Sequence, residues 1–297
     1  MKDLIRLSDE VGHALTERKP VVALETTLVA HGFPPAEGVA VGLDSEQRVR
    51  EAGAVPATIG VLDGLLRIGL TEDELSQFGP DARKVGPRDL AAAIVQGAVG
   101  ATTVGGTLAA CRAVGIGFMG TGGLGGVHRG FPTPPDVSAD LGELVRTEAL
   151  IVSSGVKSIL DVPATAELLE TLGVPVLGYG TDDIPLFYAA HGGPPVSARV
   201  ESAEEAALVA RAHWRLGRHT SILLARPAED SLDDVEPLIE RALAAAHDQG
   251  IAGQAVTPFV LSYLHRESGG RTLAANGELI AANARLAAEV AVAYAAL

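Results

Sequence analysis

The stretch VVALETTLVAHGFPPAEGVAVGLDSEQRVREAGAVPATIGVLDG (21–64) sets the architecture. It opens on an apolar, β-branched run, Val21–Ala30, passes through a helical pattern over 36–52, and returns to a second apolar run, Ala57–Leu62. Neither run alternates strictly between polar and apolar, so each reads as a strand covered on both faces. A buried strand, a helix and another buried strand in succession point to layered α/β packing.

The same alternation continues along the chain. Strands are expected at Gly115–Met119, Ala149–Ser154, Val174–Tyr179 and Thr220–Ala225. Helices are expected over 3–17, 71–78, 87–98, 138–148, 164–172, 203–216, 231–249 and 273–296. Thr71 with Glu74, and Ser202 with Glu205, have the spacing of a capping box at a helix start. The expectation is an α/β fold, three-layer α/β/α, with a central mostly parallel or mixed sheet. No repeat or long linker divides the chain, so one domain over 1–297 is expected. The last helix is apolar over much of its surface and must pack in the core or meet another subunit.

Composition narrows the function. The 297 residues are 47% hydrophobic and carry a net charge of −14. Duplex nucleic-acid binding needs a basic surface, and no Lys/Arg cluster supplies one, so no nucleic-acid partner is expected. No apolar run has the length of a membrane span, and the first residues lack the pattern of a signal peptide. The single Cys111 excludes an internal disulfide and suits a reducing cytoplasm. A ligand with one phosphate remains open. Lysine is scarce, with four (Lys2, Lys19, Lys84, Lys157) among 23 Lys and Arg. A lysine in an apolar context is therefore a candidate for amine chemistry.

The segment GTGGLGGVHRG (120–130) contains the dinucleotide spacing Gly120-x-Gly122-x-x-Gly125. A dinucleotide loop must open straight into a helix. Here Pro132, Pro134 and Pro135 follow and forbid one. The loop is either an anion cradle or a tight connection. Glu25 stands in an apolar strand, where burial would raise its pKa and suit a general acid, or where an arginine would pair with it. Lys157, in ALIVSSGVKSILD, follows an apolar strand. It is either a partly desolvated nucleophile or a lysine snorkelling from a helix start. Lys84 either binds phosphate or faces solvent. Ser138 has the position of an N-cap, and Asp136 alone is a weak metal signal.

Taken together, VVALETTLVAHG, GAVPATIGVLDG, KVGPRDL, GATTV, TGGLGGVHRG, DVSADL, GVKSILD and GVPVLGY, in this order, resemble the pseudouridine-5'-phosphate glycosidase family, which includes indigoidine-cluster proteins of the same fold. The likeness runs from about residue 18 to the C-terminus, through TPF (257–259) and LAAN (273–276). The resemblance implies reversible cleavage of the C–C bond of pseudouridine 5'-phosphate to uracil and ribose 5-phosphate. It implies Glu25 as the acid and Lys157 as the nucleophile, which forms an imine with a ring-opened ribose. It places substrate contacts on Lys84, Val104, Ser138, Ala139 and Asp140, a largely hydrated Mn²⁺ on Asp136, and further site positions at His128 and Asn276. It also implies a cytoplasmic homotrimer. The chain departs from the family pattern at Ala36, Gly38, Gly86-Pro87 and Ala282. The alternatives are an enzyme acting on another phosphosugar conjugate and a non-catalytic nucleotide-binding protein.

Overall fold

Ser8 divides what reads as one N-terminal helix. Its backbone is extended and its hydroxyl accepts from the Val11 N–H, so it caps a helix that begins only at the next residue. The residues before it form strand β1, Ile5–Leu7, which is followed by α1, Asp9–Thr16. The computed structural model describes residues 4–130, 135–232, 234–251, 253 and 256–297. Pro132, Pro134 and the expected helical positions 3 and 233 lie outside the described residues.

The first expected strand is shorter than its apolar run. β2 covers Val21–Glu25, and the chain then turns into α2, Thr27–His31. Two threonines cause the turn. Thr26 donates to the Ile59 carbonyl and Thr27 to that of Thr102, so their side chains link neighbouring elements instead of continuing the strand. Helix α3 follows at Pro35–Glu51, then β3, Val55–Leu62, and β4, Leu65–Ile68. Gly38 meets α2 so closely that an added Cβ would collide with the Val29 carbonyl.

Then come α4 (Glu72–Leu75), β5 (Arg83–Val85), a 3₁₀ turn at Pro87–Asp89, α5 (Leu90–Val95), β6 (Gly100–Thr102), α6 (Val104–Val114) and β7 (Phe118–Gly120). The second half alternates α7 (Ala139–Leu144), β8 (Leu150–Ser153), α8 (Val162–Thr171), β9 (Val176–Tyr179), β10 (Ala198–Val200), α9 (Ala203–Arg215) and β11 (Ile222–Ala225). It ends in α10 (Glu236–Asp248), α11 (Val256–Glu267) and α12 (Arg271–Ala295).

One sheet runs in the order β1-β4-β3-β2-β7-β8-β11-β9-β10, with β6 and β5 branching from β3. Its pairs are parallel except β3 with β4 and β3 with β6. The sheet is therefore mixed and mostly parallel, as expected. Both faces are buried. Val22 and Leu24 enter one apolar cluster with residues of α3, α9 and α12. Val21 and Ala23 enter another with Leu108 of α6 and Leu141 of α7. Alternate residues of one strand thus feed two cores, the signature of three layers. Helix α12 answers the question its composition posed: it packs on α3, α9 and the sheet, with Ala284, Ala287 and Val290 fully buried.

Candidate active site

Parallel sheets gather ligand-binding residues beyond the carboxyl ends of their strands, and here three adjacent strands do so. β2 ends on Glu25, β7 leads into Thr121 and the glycine-rich loop, and β8 leads through Ser154 and Gly155 to Lys157.

Glu25 is 4% exposed. Burial pushes its carboxyl up to about 7, against the pull of the Lys157 charge and of a hydrogen bond from Thr121. Near neutrality it can therefore hold or release a proton. The Lys157 N–H donates to the Leu124 carbonyl (3.1 Å), which fastens the lysine to the glycine-rich loop. Lys84 lies on β5; burial, and then the charge of Lys157, hold it below the usual lysine range. That the Lys157 charge reaches Lys84 places the two ammonium groups in one electrostatic environment.

The glycine-rich loop is shaped by close approach. A Cβ at Gly125 would fall 2.5 Å from Oδ2 of Asp140, and one at Gly123 would fall 2.6 Å from the Phe187 ring. Asp140 accepts from the Gly105 N–H at the start of α6 (2.8 Å) and from the Gly125 N–H (3.1 Å). It thereby ties the helix N-terminus to the loop. Ser138 caps α7, its hydroxyl accepting from the Asp140 N–H (3.2 Å). After the loop the chain continues through isolated bridges, Val127 to Val137 and His128 to Leu160.

One cavity, with an empty volume of about 1170 Å³, is lined by Glu25, Lys84, Val104, His128, Asp136, Ser138, Ala139, Asp140 and Lys157. Those sequence-derived positions, scattered from 25 to 157, thus share one wall. Asn276, on α12, lines an adjoining apolar cavity, and Lys84 and Lys157 belong to both. His128 Nδ1 lies 3.7 Å from Oδ2 of Asp136, and burial lowers its pKa despite that carboxylate. Among the described residues no three His, Cys, Asp or Glu side chains converge on a metal position. A cation here would take one partly exposed carboxylate, Asp136, and otherwise water and substrate, a donor set that suits Mg²⁺ or Mn²⁺.

Sequence reasoning missed several contributors. Thr121 holds Glu25. Asn283 donates to the Thr121 carbonyl (2.8 Å) and to the Ser154 hydroxyl (3.1 Å), locking α12 onto the loop. Arg88, beside the unexpected Gly86-Pro87, is a largely exposed cation on the cavity wall. Its place next to KVG was the available signal.

A family model described as indigoidine synthase A like protein matches residues 10–293. A pseudouridine-5'-phosphate glycosidase of Streptomyces griseus is 50% identical, over 97% of this chain and 92% of its own length. One from Geobacillus kaustophilus is 44% identical over 98% and 99%. Among solved structures, the prealnumycin C-glycosynthase AlnA in complex with ribulose 5-phosphate superposes with a TM-score of 0.89. It is 41% identical, over 99% of this chain and 97% of its own. An indigoidine synthase A-like protein from Thermotoga maritima gives a TM-score of 0.88 at 37% identity, over 97% and 96%.

Proposed function

The chain belongs to the indigoidine synthase A-like family, and from that premise we propose that it is a pseudouridine-5'-phosphate glycosidase. It would cleave the C–C glycosidic bond reversibly to uracil and ribose 5-phosphate. The observation that carries the reading is a buried carboxyl poised near neutrality on the same cavity wall as two lysines.

A C–C glycoside has no leaving heteroatom to protonate, so the sugar must be activated instead. Glu25 gives its proton to the ring oxygen as the C1'–O4' bond opens. The Lys157 amine adds at C1'. The added nitrogen gives up a proton to the now ionised Glu25 carboxylate, and the base carbon bonded to C1' takes that proton in turn. As the C–C bond breaks, the freed nitrogen lone pair closes to an imine. Water then releases ribose 5-phosphate and returns the free lysine.

The polar cavity suits the sugar phosphate, with Lys84, Ser138, Ala139 and the Val104 end of α6 as its anion-facing residues. Asp136, with His128 beside it, would hold a largely hydrated Mn²⁺ that supplies positive charge near the phosphate. Asp140, bonded to both Gly105 and Gly125, keeps the cradle in shape and faces the substrate. The apolar cavity, with Asn276 in its wall, suits the base.

The reading extends to a cytoplasmic homotrimer. A lone buried Cys111 is in keeping with a reducing compartment, and no described helix is long and apolar enough to cross a membrane. Exposed apolar residues, Leu208 and Leu216 by α9 with Val292 and Leu297 by α12, offer surface to another copy. A second reading, action on another phosphosugar conjugate, is favoured by the likeness to AlnA, a C-glycosynthase solved with ribulose 5-phosphate. Incubation with pseudouridine 5'-phosphate and Mn²⁺, followed by chromatography for free uracil, tests the first reading. No uracil from an active preparation rejects it.

A further inference from the structure

The apolar cavity beside the two lysines holds more polar atoms than the protein itself satisfies. The Tyr188 hydroxyl, Ser158 Oγ, His31 Nε2 and Asn276 Oδ1 are all buried, and none has a hydrogen-bond partner among the described residues. All four residues line this one cavity, whose empty volume is about 620 Å³. An unpaired buried polar atom is costly, and native proteins leave few of them. Four around one space are accounted for if a ligand completes them.

Tyr188 is the most deliberately placed of the four. It is 2% exposed. The residue before it, Phe187, has φ 65°, in the left-handed region that a bulky side chain rarely adopts. Backbone bonds hold this bend: Phe187 N–H to the Ser154 carbonyl (3.1 Å), Tyr188 N–H to that of Leu186 (2.8 Å), and Leu232 N–H to that of Tyr188 (2.8 Å). The two rings meet edge to face with centroids 4.7 Å apart. Strain of this kind collects where a side chain must be aimed.

The lining indicates what is read. Leu28, Ile159, Phe187, Pro258 and Leu261 give apolar walls, suited to a flat ring. The unpaired Asn276 atom is a carbonyl oxygen, which takes an N–H. The Tyr188 and Ser158 hydroxyls can donate to a carbonyl. Burial holds the Tyr188 phenol well above its usual range, so it stays a donor at any working pH. Burial, and then the Lys84 charge, hold His31 below the usual histidine range, so its ring is neutral near pH 7.

We infer that Tyr188 is a specificity-determining residue, its hydroxyl reading the edge of a flat six-membered ring with alternating carbonyl and N–H groups, with Ser158 and His31 sharing that edge. The inference rests on the proposed function in taking the base half of the substrate as that ring. It adds the group that selects it.

The test is Tyr188→Phe in the full chain, assayed in the synthetic direction. The KM for uracil should rise roughly tenfold, the worth of one neutral hydrogen bond left unmade. The KM for ribose 5-phosphate should stay within about twofold, and borohydride trapping of ribose 5-phosphate should be unchanged. The melting temperature should not fall, because the hydroxyl removed has no partner in the free protein. Ser158→Ala should shift the uracil KM in the same direction. An unchanged uracil KM in Tyr188→Phe, or a fall in melting temperature with both KM values raised together, overturns the inference. If the wild type makes no uracil from pseudouridine 5'-phosphate, the functional reading fails separately. Tyr188 is then judged by calorimetric titration of uracil into both proteins. Binding to the wild type that weakens about tenfold in the variant sustains the inference; equal binding, or none to the wild type, overturns it.

Discussion

The Thr121 hydroxyl donates to Oε1 of Glu25 in the protein interior, joining residues 96 positions apart. Burial pushes the Glu25 carboxyl up to about 7, and this bond, which favours the ionised form, is among the forces that pull it back. A general acid must be protonated, so kcat/KM should fall as pH rises through about 7. Thr121→Val removes a stabiliser of the carboxylate, so that limb should move to higher pH. An unmoved limb in a folded variant would sink the assignment.

The same carboxyl links stability to pH. Glu25 binds its proton more tightly when folded, with the pKa raised from 4.5 to about 7. Its favourable contribution is therefore complete below 4.5 and lost as pH rises through about 7. Glu25→Gln should abolish catalysis yet be more stable than the wild type at pH 8, by up to roughly 3 kcal/mol. At pH 4 the two should be nearly equal. Urea denaturation at the two pH values measures the difference, and a variant less stable at pH 8 speaks against a buried, costly carboxylate.

The proposed Mn²⁺ on Asp136 would have few protein donors, since no three His, Cys, Asp or Glu side chains converge there among the described residues. A site with one protein carboxylate binds weakly and reversibly. Chelator should abolish activity, Mn²⁺ should restore it, and Asp136→Ala should lose the response. Full turnover in excess chelator refutes this.

Phosphate recognition is a separate matter, assigned to Lys84 and the N-terminus of α6. Unphosphorylated pseudouridine should be a far poorer substrate, by roughly a hundredfold or more in kcat/KM if one charge-assisted contact and its positioning are lost. Lys84→Arg keeps the charge and should mainly raise KM. Comparable kcat/KM for nucleoside and nucleotide would remove phosphate from the account.

Much of this was legible in the sequence, for reasons that can be located. The apolar continuity of Val55–Leu62 and Leu150–Ser153 follows from burial on both faces, and that pattern is local. The N-terminal strand was not legible, because Ile5–Leu7 is ordered by pairing with β4, a distant partner. Helix α6 was hidden by Gly105 and Gly106, poor helix formers kept small by contact with Pro87, Asp140 and the Val85 carbonyl. The Thr103 cap and the left-handed Gly115 at its ends were the signals available. α11 and the short strands β4, β5, β6 and β10 went unread as well, the strands because three or four residues carry little periodicity. At the site, Glu25 and Lys157 stood out as charges in apolar runs. Thr121, Asn283 and Tyr188 did not, since a hydroxyl or an amide in such a run is ordinary until its distant partner, or the lack of one, is seen.

The central claim is that Lys157, and not the neighbouring Lys84, carries the imine. The choice is a sharp one, because both lysines line both cavities and burial holds Lys84 below the usual lysine range. Ribose 5-phosphate and the enzyme, treated with borohydride, should give a stable secondary amine, and mass spectrometry should find one sugar-phosphate adduct on the peptide containing GVKSILD. Lys157→Arg should bind ligand but neither trap nor turn over, since a guanidinium stays protonated. An adduct on Lys84, or near-normal turnover by Lys157→Arg, would contradict the account.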